Sequence, residues 1–243
     1  MTLLGKLLKI SAFGIVLSLL LTSDLHARDA EFDAIIEDKG ASAKELLENP
    51  TIYRTVELKG LPCGMADFDF LLDRPRTAVT LAGRIHKSLD KYTIDMTKPG
   101  IYHMESEKEI VVDLEVIAKQ PGKRVYYISG YWKFLMGIKL HGRMALVVEY
   151  KETDDGKGRM LDGKARGYMD VDSSVAGAAF KAAAYLFPKK VDARLNRFGV
   201  AIKKVVEGIH DDPEAMARLL ETNSRVPPEE VNEFKARFLK AQP

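Results

Sequence analysis

Few residues in this sequence could do chemistry together, and a pair of carboxylates is the first arrangement to consider. Asp113 and Glu115 lie two residues apart, so both carboxylates occupy one face of a strand. Paired carboxylates can act as acid and base when burial raises the pKa of one of them. The residues between and around them are apolar and form the other face, which we expect to be the buried one. We therefore predict that these two carboxylates face water.

Metal binding and nucleophilic catalysis find equally little support. The segment 170–173 begins like a calcium loop, but Val175 stands where glycine is needed and Lys181 where the closing glutamate belongs. Cys63 is the only cysteine, so no internal disulfide can form, and we predict a buried small hydrophobe. The chain contains no phosphate-binding loop, no nucleophile elbow and no dinucleotide fingerprint. None of four histidines is spaced as a metal ligand: His86, His103, His141 and His210. We predict no catalytic residue, no metal site and no cofactor.

The N-terminus has the layout of a secretory signal peptide. Lys6 and Lys9 precede an apolar run from Ile10 to Leu21, and a short polar stretch then ends at Ala27. The apolar run is short for a membrane span, although an uncleaved anchor is the alternative. We predict cleavage after Ala27, with residues 1–27 as signal peptide and a periplasmic or secreted mature protein.

Composition is typical of one globular domain with an appendage. The chain has 243 residues, of which 46% are hydrophobic and 30% are charged. The formal net charge of +2 is small, and the basic residues do not alternate with aromatic ones in a binding pattern. This charge balance argues against a nucleic-acid partner.

A long amphipathic helix is predicted over Ser173–Ile209. Its apolar residues recur at steps of three or four, except across Pro188, where we expect a kink. Such a helix needs a surface that covers its apolar stripe, because isolated helices are marginal in water. The stripe includes Leu186, Val191, Leu195, Phe198, Ile202, Val205 and Ile209.

Strands precede this helix and supply that surface. A strand at Thr51–Leu58 is followed by helical spacing over Asp67–His86, which Pro75 divides into two helices. The segment Ile138–Tyr150 alternates clearly, with Leu140, Met144, Leu146 and Val148 on one face and Lys139, His141 and Arg143 on the other. One buried and one wet face indicate an antiparallel sheet. The other strands are predicted at Tyr92–Met96, Gly100–Glu105, Glu109–Ala118, Arg124–Trp132 and Arg159–Val171.

This order of elements resembles the START-like superfamily, also called helix-grip or Bet v 1-like, over about residues 50–210. The stretch Phe68–Pro75 resembles the early helix pair of these proteins. The resemblance implies an α+β fold in which a curved antiparallel sheet wraps around a long C-terminal helix. It also implies a hydrophobic cavity for lipids, sterols or other apolar ligands. Some members are enzymes, such as cyclases, so the fold does not settle the function.

The inward faces suggest which residues line such a cavity. The segment Tyr131–Met136 falls between two strands yet is rich in large apolar side chains. It either folds over the end of the core or forms a mouth that touches membrane or ligand. The predicted ligand-binding residues are Trp132 and Phe134 at the mouth, with Met144, Leu146, Met160, Phe180 and Phe187 as lining.

The sequence supports three functional hypotheses. The first is an exported START-like protein that binds or carries an apolar ligand such as a lipid in the cell envelope, with transient membrane contact and without covalent catalysis. The second is an enzyme of the cyclase or hydrolase kind on the same fold. The third is a non-catalytic interaction module with a filled cavity. Outside the START-like region, residues 28–49 are predicted as an arm and short helix. Residues 211–243 form a helical tail that either packs on the domain or docks a protein partner.

Overall fold

The computed structural model describes residues 41–106, 110–133, 139–154, 159–171 and 188–239. The chain divides into two units, Met1–Ala41 and Ser42–Pro243, and the strands that the structure describes belong to the second unit. The predicted signal peptide, 1–27, and the predicted arm, 28–40, lie outside the described residues, as does the first part of the predicted long helix, 173–187.

Among the described residues, helices and strands do not alternate along the chain. Six consecutive strands lie between an early group of helices, which includes β1, and a final group of helices. A short helix and a strand come first, α1 (Ala41–Glu48) and β1 (Ile52–Leu61), followed by the helix pair α2 (Met65–Asp73) and α3 (Pro75–Ile85). The strands that follow are β2 (Thr93–Lys98), β3 (Ile101–Ser106), β4 (Ile110–Gln120), β5 (Lys123–Lys133), β6 (Lys139–Asp154) and β7 (Arg159–Val171). The final helices are α4 (Pro188–Asp211), α5 (Pro213–Glu221) and α6 (Pro228–Phe238).

The seven strands among the described residues form one curved antiparallel sheet. Their order is β1-β7-β6-β5-β4-β3-β2, so consecutive strands from β2 to β7 are neighbours and the last strand, β7, also pairs with β1. The turn glycines Gly100 and Gly122 have φ angles of 78° and 73°, a conformation that glycine adopts without a steric penalty. The predicted turns at 98–100 and 120–123 are confirmed by these residues.

Helix α4 packs against the concave face of the sheet through a narrow stripe. Ala201, Val205 and Val206 are only 1–3% exposed. At Gly199 the backbone approaches β1 so closely that a Cβ there would stand 2.8 Å from Val56 Cγ1. Phe198 differs from the predicted stripe, because 37% of it is exposed and its ring lies beside Tyr92. With the sheet, this helix gives an α+β helix-grip fold.

The opposite, convex face is not uniformly wet. Val125, Ala145 and Val147 face this side by their register and are at most 1% exposed. Glu45 of α1 forms an ion pair with Arg143 of the same face at 3.5 Å. The prediction of a solvated outer face is therefore wrong at the centre of β5 and β6, where these three side chains are buried.

The tail packs on the early helix pair. Phe234 of α6 is fully buried. The centroid of its ring is 6.3 Å from that of Phe70 in α2 and 4.7 Å from that of Phe238. The Asp212 side chain caps α5 by accepting a hydrogen bond from the Ala215 amide at 2.8 Å. No helix among the described residues is both long and apolar enough to cross a membrane.

Candidate functional site

The concave face of the sheet is shaped by glycines that face large side chains. A Cβ on Gly142 would stand 2.9 Å from Trp132 Cζ3, so the indole ring lies directly over this glycine. On the next strand, the position for a Cβ on Gly167 is 3.5 Å from Met144 Sδ. Small residues in β6 and β7 therefore give Trp132 and Met144 room to lie along the sheet instead of standing away from it.

Burial changes along this face. At one end, Tyr126, Val148 and Tyr150 are only 4–6% exposed, beneath α2. Other apolar side chains on the same face are only half-buried, and they lie among buried ones such as Ile128 and Leu140. We call the half-buried residues the concave patch: Met104, Leu114, Trp132, Met144 and Leu146.

A polar network closes the buried end of the face. The guanidinium of Arg124 is 2.6 Å from Asp69 and 2.9 Å from Asp73, and Lys119 is 3.3 Å from Asp73. Tyr150 donates its hydroxyl proton to Asp69. The network thus ties two α2 carboxylates to strands β4, β5 and β6.

The pKa shifts in this network are those of a network that stabilises the packing of α2 on the sheet. Burial alone would raise the pKa of Asp73, but the hydrogen bond and charge of Arg124, with Lys119, hold that pKa below its usual value. Burial raises the pKa of Tyr126, whose hydroxyl donates to the Leu72 carbonyl at 2.7 Å. Burial also raises the pKa of Tyr150, helped by its bond to Asp69. Asp73 is therefore ionised and both tyrosines are neutral near pH 7, an arrangement that stabilises the fold without supplying an acid and base there.

The structure brings together three of the predicted ligand-binding residues. Trp132, Met144 and Leu146 all belong to the concave patch. Met160 is half-buried beside Gly60 and lies on the opposite face of β7 from the fully buried Leu161. The remaining predicted positions lie outside the described residues: Phe134, Phe180 and Phe187.

Strand β5 extends to Lys133, which confirms the predicted strand Arg124–Trp132. Tyr131 and Trp132 are therefore strand residues, and the prediction that the segment Tyr131–Met136 lies between strands is wrong for these two. Met104 and Leu114 were not among the predicted lining residues. The alternation of β4 signals Leu114, but β3 has only six residues, which is too short for alternation to signal Met104 clearly.

The pair Asp113 and Glu115 lies on the convex face, away from the patch. The side chain of Asp113 is 60% exposed, and its Oδ1 is 2.8 Å from His103 Nδ1. Glu115 is half-buried. The prediction that this face of β4 meets water is confirmed for Asp113. Among the described residues, no group of three or more acidic, histidine or cysteine side chains could hold a metal ion.

Comparisons with known proteins add three solved structures of low similarity. No protein-family model and no curated protein matches the chain. A conserved protein from Geobacillus kaustophilus is 13% identical, with a TM-score of 0.43, and the match covers 64% of this chain and 93% of that one. Ara h 8.0201 is 15% identical, with a TM-score of 0.39 and coverage of 65% and 99%. An uncharacterised protein from Rhizobium leguminosarum is 13% identical, with a TM-score of 0.31 and coverage of 63% and 96%.

Proposed function

We propose that this chain binds an apolar ligand, such as a lipid, on the concave patch. The observation that supports this is a set of apolar side chains on the concave face that stay half-buried, such as Met144 and Leu146, beside buried cross-strand neighbours such as Tyr126. Apolar side chains left partly exposed on a concave wall gain about 25 cal/mol for each Å² that a ligand covers. A ligand that covers them would gain affinity without covalent chemistry.

The chemistry of the patch favours flexible chains over rigid polar substrates. Met104 and Met144 have unbranched, polarizable side chains that can adapt to different ligand shapes. The patch itself carries no charged side chain, and the buried guanidinium of Arg124 is paired with Asp69 and Asp73. A lipid acyl chain is therefore the class of ligand that fits this surface best.

The sole tryptophan of the chain permits a direct test. Trp132 belongs to the patch, so its fluorescence reports on ligand there and nowhere else. We expect a brominated fatty acid such as 9,10-dibromostearate to quench this fluorescence saturably. Unbrominated stearate should compete for the site and restore the signal.

A variant that fills the patch separates specific binding from surface adsorption. Gly167→Leu adds a side chain beside the flexible Met144, and Gly167→Ala is a milder version of the same change. Lys164→Leu is the matched control, because it adds an apolar side chain at an exposed position on the other face of the same strand. We expect quenching to weaken from Gly167→Ala to Gly167→Leu and to persist in Lys164→Leu. Equal quenching in all variants would refute binding at the patch.

Native mass spectrometry tests the ligand class independently. Protein purified from its own host should retain a lipid, and the bound mass should be lost in Gly167→Leu. A wild-type protein without bound mass and without quenching would favour the interaction module with a filled cavity.

Export and membrane contact belong to the same proposal. If residues 1–27 direct export, N-terminal sequencing of the mature protein should begin after Ala27. Transient contact with an anionic membrane would let a lipid enter or leave the patch. Flotation with vesicles of anionic and neutral phospholipid should then show binding to the anionic ones alone.

A further inference from the structure

A second pocket lies outside the concave face, where the tail meets the domain. It has a volume of about 280 Å³ and is formed by the β1–α2 connection, α2, the end of α4 and the tail. We call it the junction pocket and define it by Cys63, Leu71, Val206, Ile209, Arg237 and Phe238. It is a cleft open to solvent, and its volume approaches the lower limit of small-molecule sites. At about 30 Å³ per water molecule, the pocket holds roughly nine waters or a ligand of similar size.

The inner wall of the junction pocket is apolar. Leu71 and Val206 are 5% and 2% exposed, and Ile209 and Phe238 complete this wall. None of the residues that line the junction pocket belongs to the concave patch, so the two sites are distinct.

The rim of the pocket is rich in hydrogen-bond donors. Arg237 approaches a single oxygen of Asp67 with Nε and Nη2, both at 2.8 Å, which leaves the Nη1 donors outside this contact. His210 and the thiol of Cys63 also line the pocket and can donate. The acceptor on this rim, Asp67, is already bonded to Arg237. An incoming ligand that supplies an acceptor group would match these donors.

We propose that the junction pocket binds a small monocarboxylic acid, with its apolar tail against Leu71 and Val206 and its carboxylate at Arg237. Arginine suits this role because its planar guanidinium can hold two acceptors at once. The tail helices complete the site, since Arg237 and Phe238 both come from the end of α6. This site is independent of the proposed function of the concave patch.

Cys63 provides a local readout, because it is the only cysteine and lines the pocket. Burial raises the pKa of its thiol to about 12, and the charges of Asp67 and Glu152 contribute to this rise. Alkylation by iodoacetamide near pH 8 should therefore be slow enough to follow by mass spectrometry. We expect octanoate to slow this reaction saturably in the full chain, while octanol slows it less and octylammonium least. The difference between octanoate and octylammonium should be about tenfold in apparent affinity.

Matched variants test the role of the guanidinium. Arg237→Gln should weaken the protection by octanoate about tenfold, the loss expected for one charge-assisted hydrogen bond. Its fold should survive, because the Asp67–Arg237 ion pair is 36% and 40% exposed and such pairs contribute little to stability. Arg218→Gln is the control, since Arg218 is an exposed tail arginine that does not line the pocket. Gly167→Leu should leave the protection unchanged, which separates this site from the concave patch.

Each other outcome would overturn the proposal. If octanoate does not slow the alkylation of Cys63, the junction pocket does not bind a monocarboxylic acid and the proposal is wrong. Equal protection by all three octyl compounds, or full protection in Arg237→Gln, would overturn the assignment of a carboxylate ligand. Loss of protection in Gly167→Leu would show that octanoate acts through the concave patch instead.

Discussion

A buried ion pair attaches the tail to the domain, and its removal is the sharpest test of the fold. Glu230 of α6 accepts hydrogen bonds from Arg76 Nε at 3.1 Å and from Thr77 Oγ1 at 2.9 Å. The side chains of Arg76 and Glu230 are only 10% and 15% exposed, and Thr77 is fully buried. Glu230→Ala would leave the charge of Arg76 buried without its partner.

The size of the effect depends on this burial. Breaking a buried ion pair by removing one partner costs about 3–5 kcal/mol. For a domain of this size each kcal/mol shifts Tm by about 2–4 °C, so we expect a fall of roughly 6–20 °C. Thermal unfolding followed by circular dichroism measures this shift directly. Glu229→Ala is the matched control, because Glu229 is exposed one residue earlier on the same helix, and its Tm should stay within about 2 °C of wild type.

A double variant checks the cause. Arg76→Met with Glu230→Leu removes both charges and keeps apolar volume, so most of the lost stability should return. If Glu230→Ala melts like Glu229→Ala, the charge of Arg76 finds another partner and the reasoning is wrong. If the double variant is as unstable as Glu230→Ala, the loss comes from packing and not from an unpaired charge.

Other positions give further predictions. Val205→Asp should abolish cooperative folding, because Val205 is 3% exposed and the new charge would be buried. Phe198→Asp should lower Tm only moderately, because Phe198 is 37% exposed. Comparable Tm values for the two variants would mean that α4 does not pack against the sheet at Val205. Gly130→Ala should prevent native pairing of β4 and β5, because its Cβ would stand 2.2 Å from the Val111 carbonyl oxygen at a φ of 151°. Gly100→Ala meets no atom within 4 Å and should cost only about 1 kcal/mol of backbone strain, so equal losses of unfolding free energy in urea would contradict this contrast. The alkylation rate of Cys63 should rise about tenfold per pH unit from pH 7 to 11, because its pKa is raised to about 12; a plateau near pH 9 would indicate an ordinary thiol.

Local patterns predicted most elements of the fold. The two-residue alternation in β6 and the turn glycines of the hairpins are signals that a short segment carries by itself. Pro75 begins α3 as its first residue, where the missing amide proton costs nothing, and this confirms the predicted division of the helix pair. Pro213 and Pro228 begin the tail helices for the same reason.

The candidate site was predictable only in part. Met144 and Leu146 share a face of one strand by alternation, so the sequence could assign both to the lining, whereas Trp132 was predicted at the mouth and only the register of β5 with β6 places it on the same face. The exposure of Phe198 could not be read from its place in the stripe, because helical spacing gives direction but not the extent of the opposing surface. The burial of Ala145 and Val147 on the convex face was equally unpredictable, since alternation does not show which parts of the chain cover a face.

By itself, the sequence determined the periodicity of each segment, the turn positions and the element order, because these depend on residues within a few positions of one another. Tertiary structure alone decided which polar groups are paired and which apolar groups stay open. Arg124 meets Asp73 across 51 residues, and Arg76 meets Glu230 across 154. The junction pocket likewise exists only where α6 returns to α2. Burial and pairing are properties of surfaces that come together from distant parts of the chain, and no local pattern specifies how closely those surfaces meet.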